Sequence, residues 1–204
     1  MSYRYMIYGA QFLSLLFNPF YLPLLGLIIL FTVSTLSMMP VMYKLSVLTI
    51  VFVFTVLLPM ALIRVYRFAR GLAPGQIGRR TERTVPYVIS IVCYFTCVYI
   101  MSTLHIPYFM GSLLTGALCI QIICAVINVW WKISTHMAAT GGVAGALFAF
   151  SYIFGFNPTG WLCVVFLVAG LLGSCRMILR QHSLSQVIVG FVVGCVCIFT
   201  ILII

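Results

Sequence analysis

The chain has 204 residues, of which 64% are hydrophobic and only 6% are charged. These proportions exclude a water-soluble globular surface and predict a protein that lies in a bilayer. Eleven Lys and Arg accompany a single acidic residue, Glu82, which nearly excludes catalysis or metal binding by paired carboxylates. The net charge of +10 suits an anionic partner, although cations that flank membrane spans produce the same excess.

Apolar runs long enough to cross about 30 Å of hydrocarbon predict an all-α bundle of six or seven transmembrane helices in a single membrane domain, residues 1–204. In chain order the spans are expected at about 12–38, 44–68, 86–104, 109–131, 137–154, 161–174 and 184–204. Asn18-Pro19 and Pro23 interrupt the first run, which is therefore either one span or two segments. Arg64, Arg67 and Arg70 close the second run at spacings of three and are interpreted as an anchoring stripe.

Small residues predict close packing between two of these helices. Gly141 and Gly145 are four apart in the fifth span, and Gly190 and Gly194 are four apart in the seventh. Such a spacing places both glycines on one face, where helix backbones can approach closely. The eight Cys fall mostly in apolar runs without a CxxC pair, so we expect buried thiols and neither a metal site nor a disulfide.

Three polar segments reach the same membrane face, because two spans separate each from the next. They cover residues 78–86, 132–142 and 175–186. Together they offer guanidinium groups, hydroxyls and two imidazoles, with Glu82 as the one acid. Guanidinium is planar, permanently charged and matched to phosphate oxygens, so the combination predicts a phosphate-handling site.

The last segment contains two spacings with structural consequences. His182 and Gln186 are four residues apart, so on a helix the amide could hydrogen-bond one ring nitrogen and orient the other. Arg176 lies six residues before His182, which is about 240° around a continuous helix. A bend between Arg176 and His182 is therefore needed if both are to reach one ligand.

These segments resemble the three motifs of the type 2 phosphatidic acid phosphatase superfamily, whose members are membrane phosphatases. The third motif is Ser-Arg, five residues, His, three residues, Asp; here Cys175-Arg176, five residues, His182, three residues and Gln186 follow it. The second is Pro-Ser-Gly-His, and Ile133-Ser134-Thr135-His136 keeps its Ser and His. The first is Lys, six residues, Arg-Pro; Arg79, five residues and Val85-Pro86 resemble it with a spacing one residue shorter, and Arg80 or Arg83 are alternatives for the basic role. The similarity covers a phosphatase-like core of about 79–204.

The resemblance implies metal-independent hydrolysis of a phosphoester through a phospho-histidine, without a cofactor. His182 would attack phosphorus, and His136 would protonate the leaving oxygen and then activate water. Arg79, Arg176 and Ser134 would stabilise the reacting phosphoryl group, with Arg83 and Thr135 as further phosphate-binding candidates. Gln186 stands where the family has Asp, so it can orient His182 but supplies no charge, and Glu82 is the one acid that could replace it.

The expected substrate is an anionic lipid phosphate, such as a phosphatidate-type lipid, a phosphatidylglycerol phosphate, a polyprenyl diphosphate or a phosphorylated glycolipid. We expect a membrane protein of the bacterial inner membrane with no nucleic-acid partner. The positive charges favour a cytoplasmic site, whereas bacterial relatives commonly act at the outer face of that membrane.

Other functions remain open at this stage. A catalytically weakened phosphate or lipid binder and a lipid transporter fit the same segments, and His136 with His182 could ligate a b-type haem. His105, next to Pro107 on the opposite face, is interpreted as a turn residue without a catalytic role.

Overall fold

The computed structural model describes residues 2–33, 35–71, 84–155 and 157–204. These residues contain nine α-helices and no strand. The helices are α1 (Ser2–Leu16), α2 (Leu22–Val33), α3 (Val41–Phe52), α4 (Leu58–Ala69), α5 (Thr84–Thr103), α6 (Tyr108–Trp130), α7 (Thr135–Phe154), α8 (Thr159–Ile178) and α9 (Leu184–Ile203).

Within the described ranges, seven helical stretches are long and apolar enough to cross a membrane. They comprise the run from α1 to α2, the run from α3 to α4, and α5 to α9 individually. The predicted all-α transmembrane bundle is therefore confirmed, and the chain is an integral membrane protein. Because successive spans alternate in direction, α5, α7 and α9 begin, and α4, α6 and α8 end, at one face, which we call the site face.

Two boundaries differ from the sequence prediction. The first apolar run forms two helices, and the first of them begins at Ser2, ten residues earlier than predicted. Asn18 separates them: its side-chain oxygen accepts a hydrogen bond from Phe20 N at 3.2 Å and caps a 3₁₀ turn at Pro19–Tyr21. The sixth span is not short, because α8 continues to Ile178 and carries Arg176 in its last turn.

A π-helical turn, Val53–Leu57, joins α3 to α4 within a single 29-residue span, Val41–Ala69. Pro59 follows this turn. A proline ring inside a helix clashes with the carbonyl four residues earlier, here that of Thr55, and it cannot donate a hydrogen bond. The wider π turn accommodates Pro59, so the span continues to the arginines at its end.

α7 lies at the centre of the bundle, since 61% of its most apolar window is buried, against at most 44% in the other spans of the described chain. Its main neighbour is α9. A Cβ at Gly190 would lie 2.7 Å from Ser134 O, and one at Gly194 would overlap Ala138 O. The predicted close packing of the two glycine pairs is confirmed, and Gly141 and Gly145 face the α9 backbone in the same way.

The contacts between α7 and α9 also fix their relative direction. Residues 134 and 138 meet residues 190 and 194, so the numbers rise together and the helices run parallel. Both helices therefore begin at the site face. Ser134 N donates a hydrogen bond to Gln186 O at 3.4 Å, which joins the two helix starts.

Candidate functional site

The chain bends sharply between Arg176 and His182, as the sequence predicted. Gln181 N donates to Arg176 O at 3.1 Å, and Arg180 N donates to Met177 O at 2.8 Å. These two bonds form a Schellman motif that ends α8. Arg180 occupies the left-handed position with φ 51°, where glycine is usual. The turn reverses the chain and brings the end of α8 next to the start of α9.

His182 is oriented by Gln186, in the arrangement that the spacing of four predicted. His182 Nδ1 lies 3.1 Å from Gln186 Oε1, and the same oxygen accepts a bond from Ser183 N at 3.2 Å. A backbone amide can only donate, so the shared atom is the amide oxygen, and Nδ1 must carry the proton. In the neutral ring Nε2 then holds the lone pair, which is the form required of a nucleophile.

Gln186 also helps to cap the N-terminus of α9. Ser183 is the N-cap of that helix, and Ser183 with Gln186 forms a capping box. The side-chain oxygen of Gln186 therefore satisfies a backbone amide at the helix start and fixes the ring of His182 at the same time.

His136 is held by the N-terminal segment. Its Nε2 lies 3.1 Å from Ser14 O. Because a carbonyl only accepts, Nε2 is the donor in either charge state. Nδ1 is then the nitrogen whose proton can be exchanged while this bond persists. No sequence pattern indicates this contact, because it uses a backbone oxygen of α1, outside all three motifs.

Ser134 and Thr135 lie at the start of α7. Ser134 is the N-cap residue, is fully buried, and makes no side-chain capping bond. Its hydroxyl has no hydrogen-bond partner within the described ranges. The first amides of a helix and its dipole favour an anion, and Thr135 and His136 at the start of α7 line a cavity of the bundle, whereas Ser134 does not.

Arg176, in the last turn of α8, contributes a cation to this face. It is only 7% exposed and lines the same cavity as Thr135 and His136. The two remaining phosphate-binding candidates, Arg79 and Arg83, lie outside the described residues, as do Arg80 and Glu82. Among the described residues, no group of three His, Cys, Asp or Glu side chains could hold a metal ion.

A cavity of about 480 Å³ extends into the bundle from Thr135, His136, Arg176 and Gln181. The buried residues Ser134 and His182, and the Gln186 that orients His182, lie at the same face but are not among its lining residues.

Thr135 and His136 line the cavity at the site face, and Ala139, Val143, Leu147 and Phe150 follow along one side of α7. The sixteen residues from Thr135 to Phe150 span about 22 Å of helix, against about 30 Å for the whole hydrocarbon layer. The cavity is therefore polar at the site face and mainly apolar below it, with Ser90, Tyr94 and Gln121 as polar lining residues deeper in the bundle.

The polar lining residues near the site face also include Asn18 and Arg67, which lie outside the three polar segments, and Gln181, which no motif position uses. Arg67 belongs to the stripe interpreted as an anchor, but its surroundings differ from those of Arg64 and Arg70. The latter two are exposed, whereas Arg67 is half-buried. The spacing of three cannot reveal this difference, because it depends on which side of α4 faces the bundle.

Comparisons with known proteins give no assignment: no protein-family model, no curated protein and no solved structure matches this chain.

A change at Gln186 tests the orientation of His182. If His182 carries a phosphoryl group, as the motif resemblance implies, we expect Gln186→Glu to raise the rate of phosphate release about fivefold, because a carboxylate stabilises a positively charged imidazole better than a neutral amide does, and Glu preserves the capping box. Gln186→Ala should lower the rate about tenfold. Initial rates of phosphate release measure both, and equal losses in the two variants would contradict the role given to the side-chain oxygen.

A change at Arg180 tests the turn that ends α8. Arg180→Val should destabilise the protein by about 1–2 kcal/mol, because a β-branched residue is strained at positive φ, whereas Arg180→Gly should be tolerated. Melting temperatures in detergent compare the two variants. Equal melting temperatures for Arg180→Val and Arg180→Gly would contradict the view that a left-handed backbone at residue 180 stabilises the protein.

Proposed function

We propose that this protein is an integral-membrane lipid phosphatase of the type 2 phosphatidic acid phosphatase superfamily, located in a bacterial inner membrane. It hydrolyses a phosphomonoester or diphosphate on an amphiphilic substrate through a phospho-histidine, without a metal ion. The observation that carries the proposal is that His136, Arg176 and the Gln186-oriented His182 share the site face, where the apolar cavity begins.

The first chemical step forms a bond between His182 Nε2 and phosphorus. The bond from phosphorus to the leaving oxygen breaks, and that oxygen takes a proton from Nδ1 of protonated His136. Nδ1 of His182 keeps its proton and donates a hydrogen bond to Gln186 Oε1. The carbonyl dipole of Gln186 therefore stabilises the positive charge of the phosphorylated ring. Arg176, the amides at the start of α7 and Ser134 stabilise the phosphoryl oxygens, which is the largest expected contribution to such a reaction.

The second step releases inorganic phosphate. Water attacks phosphorus and gives a proton to His136 Nδ1, and the bond between nitrogen and phosphorus breaks. His182 returns to the neutral form, and His136 is again protonated for the next cycle. The bond from His136 Nε2 to Ser14 O is compatible with both charge states of the ring, so it can hold the imidazole in place throughout.

The shape of the cavity supports a lipid substrate. The phosphate-binding groups lie at the start of α7, and the remaining lining is mainly apolar to the depth of Phe150. A hydrocarbon chain can fill that space while its anionic head remains at the site face. Burial of the chain is favourable in proportion to its apolar area, and a water-soluble phosphoester would leave the depth of the cavity empty.

One observation favours a second function, a phosphate-lipid binder with weakened catalysis. Gln186 orients His182 without supplying a negative charge, so the phosphorylated ring is stabilised less than it would be by a carboxylate. Such a protein would bind lipid phosphates and release little or no inorganic phosphate from them.

Phosphate release from a panel of lipids tests the proposal. Purified protein is incubated with phosphatidate, phosphatidylglycerol phosphate, a polyprenyl diphosphate and a phosphorylated glycolipid, each with and without a metal chelator. We expect phosphate from at least one lipid, equally with chelator, and an acid-labile phosphoprotein from labelled substrate. Binding without release would favour the second function, and complete dependence on metal would contradict the mechanism.

A further inference from the structure

Arg67 is a cation of the cavity that belongs to none of the three motif segments. It lies in the last turn of α4, and Ile63, one turn deeper on the same side of the helix, lines the cavity with it. Arg64 and Arg70 are exposed, and Arg70 lies over the ring of Tyr66 at 5.9 Å. No described residue hydrogen-bonds or ion-pairs with the Arg67 guanidinium.

Arg67 and Arg176 line the cavity from different helices, α4 and α8. α4 packs on α5, and α5 packs on α6, whereas α8 packs on α7 and α1. Arg176, His136 and the start of α7 therefore form one side of the cavity at the site face, and Arg67 forms another. A half-buried guanidinium needs an anion or water to compensate its lost hydration, and the one acid of the sequence, Glu82, lies outside the described residues.

We propose that Arg67 binds a second anionic group of the substrate and that the substrate is a lipid diphosphate. The inference rests on the proposed function, since the groups around Arg176 and His182 would hold the phosphoryl group that is transferred. Arg67 and Arg176 each lie two residues before the end of their helix at the site face, so the two guanidiniums border the head of a bound lipid from different helices. Because the groups around Arg176 would hold the terminal phosphate, the phosphate next to the chain is the one assigned to Arg67.

This position gives Arg67 a role in the departure of the leaving group. When His182 attacks the terminal phosphorus, the bond to the bridging oxygen breaks and its electron pair goes to the lipid monophosphate. Negative charge grows on that phosphate, and the guanidinium of Arg67 stabilises it. His136 supplies a proton to the bridging oxygen, and hydrolysis then yields a lipid monophosphate and inorganic phosphate.

Paired substrates with the same chain test this role. Farnesyl diphosphate and farnesyl monophosphate are compared for wild type, Arg67→Gln and the exposed controls Arg64→Gln and Arg70→Gln. We expect Arg67→Gln to lower kcat/KM for the diphosphate about tenfold more than for the monophosphate, in line with the loss of one charge-assisted hydrogen bond, and the controls to affect both substrates alike. Equal losses for the two substrates in Arg67→Gln would overturn the assignment.

A binding measurement separates this inference from the proposed function. Methylenediphosphonate, which cannot be hydrolysed at its bridge, and inorganic phosphate are tested for protection against thermal unfolding. We expect the diphosphonate to raise the melting temperature of wild type more than phosphate does, and Arg67→Gln to lose that difference. If wild type cleaves no lipid but this difference is found, the proposed reaction fails and the anion site stands; if wild type shows no difference, the anion site is rejected.

Discussion

Replacement of His182 by alanine should reduce phosphate release by a factor on the order of 10⁴ or more, the scale seen when a covalent nucleophile is removed. Nε2 of this ring carries the reactive lone pair because Gln186 Oε1 holds the proton on Nδ1. Alanine offers no atom that can bond to phosphorus. On the proposed mechanism, wild type should form a labelled phosphoprotein and the variant should not, and rapid-quench labelling with a radioactive lipid phosphate measures this difference directly.

His105→Asn is the matched control for the nucleophile. His105 is exposed, lies in the turn between α5 and α6, and adopts φ 52°, a conformation that asparagine tolerates well. It ends α5 with the same pair of bonds that ends α8, since Ile106 N donates to Met101 O and His105 N to Ser102 O, both at 3.1 Å. Its interpretation as a turn residue is confirmed. A His182→Ala protein that folds, yet still forms the labelled intermediate, would refute the proposed mechanism.

The second large effect is expected at Gly194, where alanine should destabilise the protein by about 3 kcal/mol or more. A Cβ at this position would overlap the carbonyl oxygen of Ala138 and lie 2.9 Å from Gly142 N. Both are backbone atoms, which cannot rotate away as a side chain can. We therefore expect α9 to shift against α7, a fall in melting temperature of about 10 °C, and loss of activity because the two helix starts separate.

Gly170→Ala provides the comparison for this substitution. Gly170 lies inside α8, and a Cβ there would meet nothing within 4 Å. Because alanine favours helix over glycine by about 1 kcal/mol, Gly170→Ala should leave the melting temperature unchanged or raise it. A Gly194→Ala protein as stable as Gly170→Ala would mean that α7 and α9 do not pack through their backbones.

The fold was largely predictable because a bilayer imposes simple rules on sequence. A hydrocarbon layer requires helices of about 20 apolar residues, and the predicted spans correspond to the observed ones in number and order. The predicted end of the sixth span, at about residue 174, was wrong because Arg176 was treated as lying beyond the helix, which continues to Ile178. The structure buries this guanidinium in the last turn of α8 beside the cavity, and such burial is not visible in composition.

The candidate site was predictable where the chemistry is local in sequence. The contact of His182 with Gln186 follows from helical spacing, and the need for a bend before His182 follows from the angle to Arg176; both are confirmed. The contact of His136 with Ser14 could not be predicted, because 122 residues separate the two and the acceptor is a backbone carbonyl. Arg67 was missed because three arginines at equal spacing look alike until the neighbours of α4 are known.

The double role of Gln186 Oε1 has a consequence for how this chain can change. The same atom initiates α9 and sets the proton position of His182, so substitutions there alter heat resistance and turnover together. Glutamate is the replacement that can preserve both hydrogen bonds, to Ser183 N and to His182 Nδ1, because its side chain has the same length as that of glutamine. Laboratory selection for either property alone should therefore converge on the same two residue types at this position.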